Sequence, residues 1–331
     1  MWRIFGGLFL GWSLGANHCA NIFGTAVASG LLRFSQALWL TAAYVVLGAV
    51  VEGTKCVSTY AKLAYVHADT AFILTSSTAV TMTALTRAGV PASTSQALVG
   101  AILGWSLLNS SPDFSQLTKI VICWTLTPLS ALIASSLLHR GLEKLVTVQI
   151  KSFSARNRFY FVAVLVTGCY AAYSLGANSV ANVTGVYVTS GLLDLRLGAL
   201  IGGLSIASGV LTYSGRVMMT VGKGIVPLDP FSAMVVVFAE AATLHLFTQV
   251  AVPVSSSQAV VGAVVGIGFV KGLQTINKRV VLKIGLGWVL TPICAGMLTL
   301  GLHSLFLLVG ADSLQSFFAK AFAFIGQLNL R

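Results

Sequence analysis

The sequence predicts an all-α integral membrane protein, an inverted-repeat bundle with broken helices and about 10–12 hydrophobic segments, some too short to cross a bilayer alone. Composition is the first reason. With 56% hydrophobic and 8% charged residues among 331, and a mean hydropathy of +0.89, the chain lies far outside the range of soluble globular domains. The second reason is a duplication: Val90-Pro-Ala-Ser-Thr-Ser-Gln-Ala-Leu-Val-Gly100 returns almost unchanged as Val252-Pro-Val-Ser-Ser-Ser-Gln-Ala-Val-Val-Gly262. The third is the basic charge in the loops, which reverses between the two copies.

Taken in order, residues 1–14 carry one arginine and no small-residue cleavage site, and are expected to belong to the first helix instead of a removed signal peptide. Apolar stretches then follow one another with short breaks, for example residues 39–51, 159–175, 198–213 and 286–309. Alternating-strand patterns are absent, so helices are expected and not a barrel. In both serine-rich stretches a proline and three hydroxyl residues stand directly before an apolar run, which is how a helix begins. Such an end attracts anions. Trp124-Thr-Leu-Thr-Pro128 and Trp288-Val-Leu-Thr-Pro292 read as packing and kink devices. Cys19, Cys56, Cys123, Cys169 and Cys294 lack metal-ligand spacing and read as small hydrophobes.

The halves can be aligned residue by residue. Ser13-Leu-Gly-Ala-Asn-His-Cys-Ala-Asn21 corresponds to Ser174-Leu-Gly-Ala-Asn-Ser-Val-Ala-Asn182, an offset of 161 (174 − 13). The serine-rich motifs are displaced by 162 (253 − 91) and the tryptophan motifs by 164 (288 − 124). Residues 139–158 carry His139, Arg140, Lys144, Lys151, Arg156 and Arg158, so they are expected to form a basic cytoplasmic linker between a first repeat, 1–138, and a second, 159–331. Residues 109–119 hold one acid and one base, whereas their counterpart holds Lys271, Lys278, Arg279 and Lys283. The first of these loops should therefore face out and the second in, which inverts the repeats. Inverted repeats bring equivalent motifs together near the membrane midplane, a geometry that belongs to secondary transporters.

At this point the residues carry a resemblance. The paired Gly-Ala-Asn-x-x-Ala-Asn, Pro-x-Ser-[Thr/Ser]-Ser and Trp-x-Leu-Thr-Pro motifs are similar to the signature of the inorganic phosphate transporter (PiT) family and cover both halves. The resemblance implies an oxyanion held between re-entrant helical hairpins, with cation-driven symport. Two positions depart from the phosphate-transporting pattern. That pattern has Asp after Gly-Ala-Asn and His after the hydroxyl triplet, where this chain has His18 and Ser179, and Gln96 and Gln258. The family's sulfate permease branch departs at the same positions. Phosphate carries a proton to donate and gains from a carboxylate acceptor, whereas sulfate only accepts and is repelled by one. Exchanging both acids for His and Ser makes a donor-rich site, as discrimination by unpaired groups requires.

The expected function is therefore symport of an inorganic tetrahedral oxyanion, sulfate favoured and proton-coupled. The alternative is sodium- or proton-coupled phosphate transport. An anion channel would want a continuous polar pore lining, and the sequence offers two local clusters instead. No arrangement of an intramembrane enzyme is present, and neither a cofactor nor a resident metal is expected. The expected anion-binding residues are Asn17, Ser93, Thr94, Ser95, Asn178, Ser179, Ser255, Ser256 and Ser257. The expected coupling residues, for H+ or Na+, are His18, Asn21, Asn182 and Glu240. The serines also suit helix caps, and the asparagines also suit backbone freed where a helix breaks after Gly-Ala.

Among the other intramembrane charges, Glu52 is expected to pair with Lys55, and Lys55 and its mate Arg216 either snorkel or give the pathway a positive field. His245 reads as a packing histidine, and His67, His139 and His303 carry no assigned role. The formal charge of +12 sits mostly in polar breaks, where it sets orientation, so nucleic acid is not an expected partner. The lipid bilayer is one, in a membrane of bacterial inner (plasma) type, and a homodimer is left open.

Overall fold

A computed structural model describes residues 2–28, 32–61, 66–87, 92–109, 114–221 and 228–309, and all regular structure among them is helical. In the first half these are α1 (Phe5–Ala28), α2 (Phe34–Glu52), a 3-10 turn (Gly53–Cys56), α3 (Val57–Ala61), α4 (Ala68–Arg87), α5 (Thr94–Asn109) and α6 (Phe114–Gln149). The second half contributes α7 (Phe153–Thr189), α8 (Leu195–Val221), α9 (Pro230–Gln249), α10 (Ser256–Lys271) and α11 (Lys278–Val309). Six of the helices are long and apolar enough to cross a membrane. The two that start at the serine triplets, α5 and α10, have 16 residues each. At ~1.5 Å per residue each is about 24 Å long, short of a ~30 Å hydrocarbon core. Each follows a 20-residue helix, α4 or α9, so the chain forms two helical hairpins whose tips carry the triplets.

The packing is reciprocal. The most extensive contacts are of α1 with α8, α10 with α6, α2 with α7 and α11 with α5. Glycines set the closest approaches. A Cβ on Gly15 would stand 1.9 Å from the Ile206 carbonyl oxygen, and one on Gly176 would stand 2.0 Å from that of Val45. These pairs exchange under the 161-residue offset of the sequence (176 − 15 and 206 − 45). Likewise Gly100 meets the Pro292 oxygen at 2.1 Å and Gly262 meets the Pro128 oxygen at 2.2 Å. Backbones this close need a residue without a side chain.

The same contacts correct one expectation. α1 runs unbroken through Gly15-Ala-Asn17 and α7 through Gly176-Ala-Asn178, so the helix breaks expected there do not occur. The glycines serve helix contact, and the serine triplets stand where α5 and α10 begin. Pro128 and Pro292 likewise lie inside continuous helices, α6 and α11.

Helix ends follow local chemistry. Gly191 takes φ +74 beyond α7, and the Leu192 N–H reaches back to the Tyr187 carbonyl at 3.0 Å, a left-handed cap suited to glycine. α9 ends in the same way on a non-glycine residue: Ala251 has φ 60, and the Val252 N–H reaches the Phe247 carbonyl at 3.0 Å. At its other end Asp229 caps α9 ahead of Pro230, accepting from the Ser232 N–H at 3.0 Å. The Asp229 carboxylate also pairs with Lys271 at the end of α10, closing the base of the second hairpin.

Burial raises the Asp229 pKa, but the bonds from Lys271 and Ser232 outweigh it and lower it from 3.8 to about 2. A depressed carboxylate contributes stability that is present above its unfolded pKa and lost as pH falls through the folded one. Acidification from about pH 4 to about pH 2 is therefore expected to lower the melting temperature of wild type more than that of Asp229→Asn, which keeps the cap and loses the charge. Parallel acid profiles of the two proteins in detergent would remove this role.

Candidate functional site

The two tips repeat one another atom by atom. Ser255 is the N-cap of α10, and its Oγ accepts from the Gln258 N–H at 3.2 Å. Ser93 Oγ accepts from the Gln96 N–H at 3.3 Å. The third hydroxyl of each triplet returns to the first, with Ser93 and Ser95 oxygens 3.3 Å apart and Ser255 and Ser257 oxygens 2.9 Å apart. The middle hydroxyls are left for other partners. Ser256 Oγ is 2.8 Å from His18 Nδ1, and Thr94 Oγ1 has no partner among the described residues. All six hydroxyl residues and His18 are buried.

His18 lies on α1 and Ser256 on α10, so this bond joins the two halves across 238 residues of sequence. A neutral imidazole can accept the Ser256 proton at Nδ1 and present Nε2–H as a donor; a protonated one donates from both nitrogens. The serine hydroxyls and the N-termini of α5 and α10 are hydrogen-bond donors, and a helix N-terminus favours negative charge.

The asparagines divide by role. Asn17 Nδ2 donates to Thr86 Oγ1 at 2.9 Å, and Asn178 Nδ2 donates to Thr248 Oγ1 at 3.0 Å. Thr86 and Thr248 are themselves repeat mates (248 − 86 = 162). Asn178 Oδ1 also accepts from the Val254 N–H at 3.1 Å. Its amide is thus engaged by the second hairpin and ties α7 to that tip. Asn182 accepts from the Tyr60 hydroxyl. Ser179 is buried on α7 beside Asn178. The side chain of Asn21 lies outside the described residues. Glu240 is buried on α9, and its Oε2 has no hydrogen-bond partner among the described residues.

Sequence reasoning passed over two residues. Gln96 and Gln258, noted only as departures from the family pattern, are buried one position beyond the triplets, each with Oε1 unpartnered among the described residues. The signal was their conserved register within the duplication. His245 also differs from its expected packing role: Nε2 is 3.0 Å from Glu52 Oε2 and Nδ1 is 2.8 Å from the Tyr170 hydroxyl. Glu52 and Lys55 pair as expected, at 3.5 Å. The side chain of Arg216 lies outside the described residues. His139 is buried against Ser232 Oγ at 3.1 Å.

Fold and composition define a multi-pass, helical integral membrane protein with two serine-capped hairpins. Residues 14–299 match the model of the phosphate transporter family, and the chain belongs to that family. It is 29% identical over 282 residues to a Methanocaldococcus jannaschii protein provisionally named a phosphate permease, covering 85% of this chain and 89% of that protein. It is equally 29% identical, over 306 residues, to the sulfate permease CysP of Bacillus subtilis, covering 91% of this chain and 86% of that one. Its fold matches a solved structure titled "The sodium-dependent phosphate transporter" with a TM-score of 0.80 at 22% identity, across 93% of this chain and 98% of the other.

Proposed function

We propose that the protein is a secondary active transporter that carries an inorganic tetrahedral oxyanion, with sulfate favoured, in symport with protons across a bacterial inner membrane. The observation that carries this reading is the His18–Ser256 bond. It places a histidine, at a position where phosphate transport would call for an acid, directly on the hydroxyl triplet of the opposite half. Ser93, Thr94, Ser95, Ser255, Ser256 and Ser257 form the donor set. Asn17 and Asn178 position the hairpins through Thr86 and Thr248, and the reciprocal packing supports an inverted repeat. His18 is the first candidate for the coupling proton, since a dianion beside it favours the imidazolium and binding of the two ions becomes mutually reinforcing. Glu240, buried with an unpartnered oxygen, is the second.

Sodium- or proton-coupled phosphate transport is the second reading, favoured by the names of the archaeal relative and of the structural neighbour. Uptake into vesicles holding the purified protein separates the two. An inward proton gradient is expected to drive accumulation of labelled sulfate, with selenate and thiosulfate competing and equimolar phosphate having little effect. Phosphate accumulation with indifference to sulfate would establish the second reading. Equilibration without accumulation would make the protein a channel.

A further inference from the structure

A second polar cluster lies outside the serine site, on the C-terminal side of α9. Glu52, the last residue of α2, accepts at Oε2 from Gln249 Nε2 at 2.8 Å and meets His245 Nε2 at 3.0 Å. Lys55 Nζ stands 3.5 Å from Glu52 Oε1 and donates to Gln249 Oε1 at 2.7 Å. The His245 ring is flanked edge-on by Tyr170 and Tyr173, at 5.5 and 5.9 Å between centroids. The charged and titratable groups facing the imidazole are thus Glu52 on α2, Lys55 on the 3-10 turn, and Tyr170 and Tyr173 on α7.

The cluster sits where the second hairpin turns. Gln249 ends α9, and residues 250–255 lead directly to the serine triplet. Beyond Lys55 the same strap continues: Thr59 Oγ1 donates to the Ala251 carbonyl at 2.5 Å, at the residue with φ 60, and Tyr60 binds Asn182. The strap therefore holds the linker on one side while Asn178 holds Val254 on the other. The first hairpin differs in sequence at these positions. The repeat mates of Glu52, Lys55, His245 and Gln249 are Tyr213, Arg216, Thr83 and Arg87, two arginines and no carboxylate.

We propose that Glu52, His245, Lys55 and Gln249 form a proton-responsive latch on the second hairpin, which controls how firmly Ser255, Ser256 and Ser257 are held at the oxyanion site. The inference rests on the transport reading above and supplies it with regulation. With neutral His245, Nε2–H donates to Glu52 and Nδ1 accepts the Tyr170 hydroxyl proton. A proton added at Nδ1 turns the Glu52 contact into a charge-assisted ion pair and makes Tyr170 rotate its O–H away and accept instead. Proton gain on His245 tightens the strap, and proton loss loosens it. Protonation of Glu52 itself removes the negative charge that holds three donors and loosens the latch, so the grip is greatest at intermediate pH. These four are positioning residues, acting on the anion through the linker.

Hydrogen–deuterium exchange of the purified full-length protein, without any anion, reads the linker directly at the amides of Val250, Ala251, Val252 and Val254. After division by the intrinsic chemical rate, exchange in wild type is expected to rise on the order of tenfold between about pH 6 and about pH 8.5, the scale of one charge-assisted hydrogen bond. His245→Gln keeps the size and a donor but cannot titrate, and should abolish that dependence. Glu52→Gln should exchange fast throughout, and His245→Gln carries the test by itself if that variant does not fold. Wild-type exchange that follows the intrinsic rate alone, or an unchanged profile in His245→Gln, would overturn the latch. Because no anion is present, that result would leave the transport reading standing, and failed sulfate uptake would leave the latch standing.

Discussion

Gly100→Ala and Gly262→Ala are each expected to cost the protein its folded bundle. A single methyl group at Gly100 would lie 2.1 Å from the Pro292 oxygen and 2.4 Å from its Cα, and at Gly262 it would lie 2.2 Å and 2.7 Å from the same atoms of Pro128. Those obstacles are backbone, so no rotamer change relieves them, and a helix must move as a whole. Overpacking typically costs about 1–3 kcal/mol where side chains can yield, and the cost here should lie at or above the top of that range. Both contacts seat a hairpin helix, α5 or α10, so the serine triplets move with any adjustment. The readout is the monodisperse fraction and melting temperature in detergent. Gly141→Ala is the control, because a Cβ there meets nothing within 4 Å. Stability equal to that control in Gly100→Ala would mean that α5 and α11 are not packed as described.

The second large effect concerns selectivity. On the sulfate reading proposed above, His18→Asp combined with Ser179→Asp is expected to turn preference from sulfate toward phosphate. An Asp at position 18 would stand near Ser256, where His18 now meets the hydroxyl at 2.8 Å, and would offer an acceptor to the proton that phosphate carries and sulfate lacks. Gaining that bond while repelling the fully deprotonated anion should move the selectivity ratio by about one to two orders of magnitude, the worth of a charge-assisted hydrogen bond of about 1.5–3 kcal/mol. Competition between the two anions in vesicles measures the ratio. A folded double variant with wild-type selectivity would dispose of the acceptor argument.

Much of this was legible in the sequence. Hydropathy declares a helical membrane protein because each segment must satisfy its own backbone in lipid. The serine triplets announce helix starts because an N-cap is chemistry within a few residues, and Ser255 caps α10 as a local signal should. The role of Gly15 and Gly176 was less legible. Glycine beside asparagine suits both a broken helix and a close helix contact, and the chain alone does not reveal which carbonyl passes overhead. Gln96 and Gln258 were visible as departures, yet only burial with unpartnered oxygens makes them candidates for the site.

The sequence by itself determined the helical membrane class, the duplication with its register, and the family, since these depend on composition, local capping chemistry and motif order. The tertiary structure decided which partner each polar side chain takes. His18 could have met any hydroxyl, and folding gives it Ser256 from the opposite half. His245 looked like a packing residue within its apolar run until α2 brought Glu52 to it across 193 residues. The physical reason is the same in both cases. A buried polar group must be satisfied by whatever the fold places within about 3 Å, and in a bundle of packed helices that neighbour usually comes from another part of the chain.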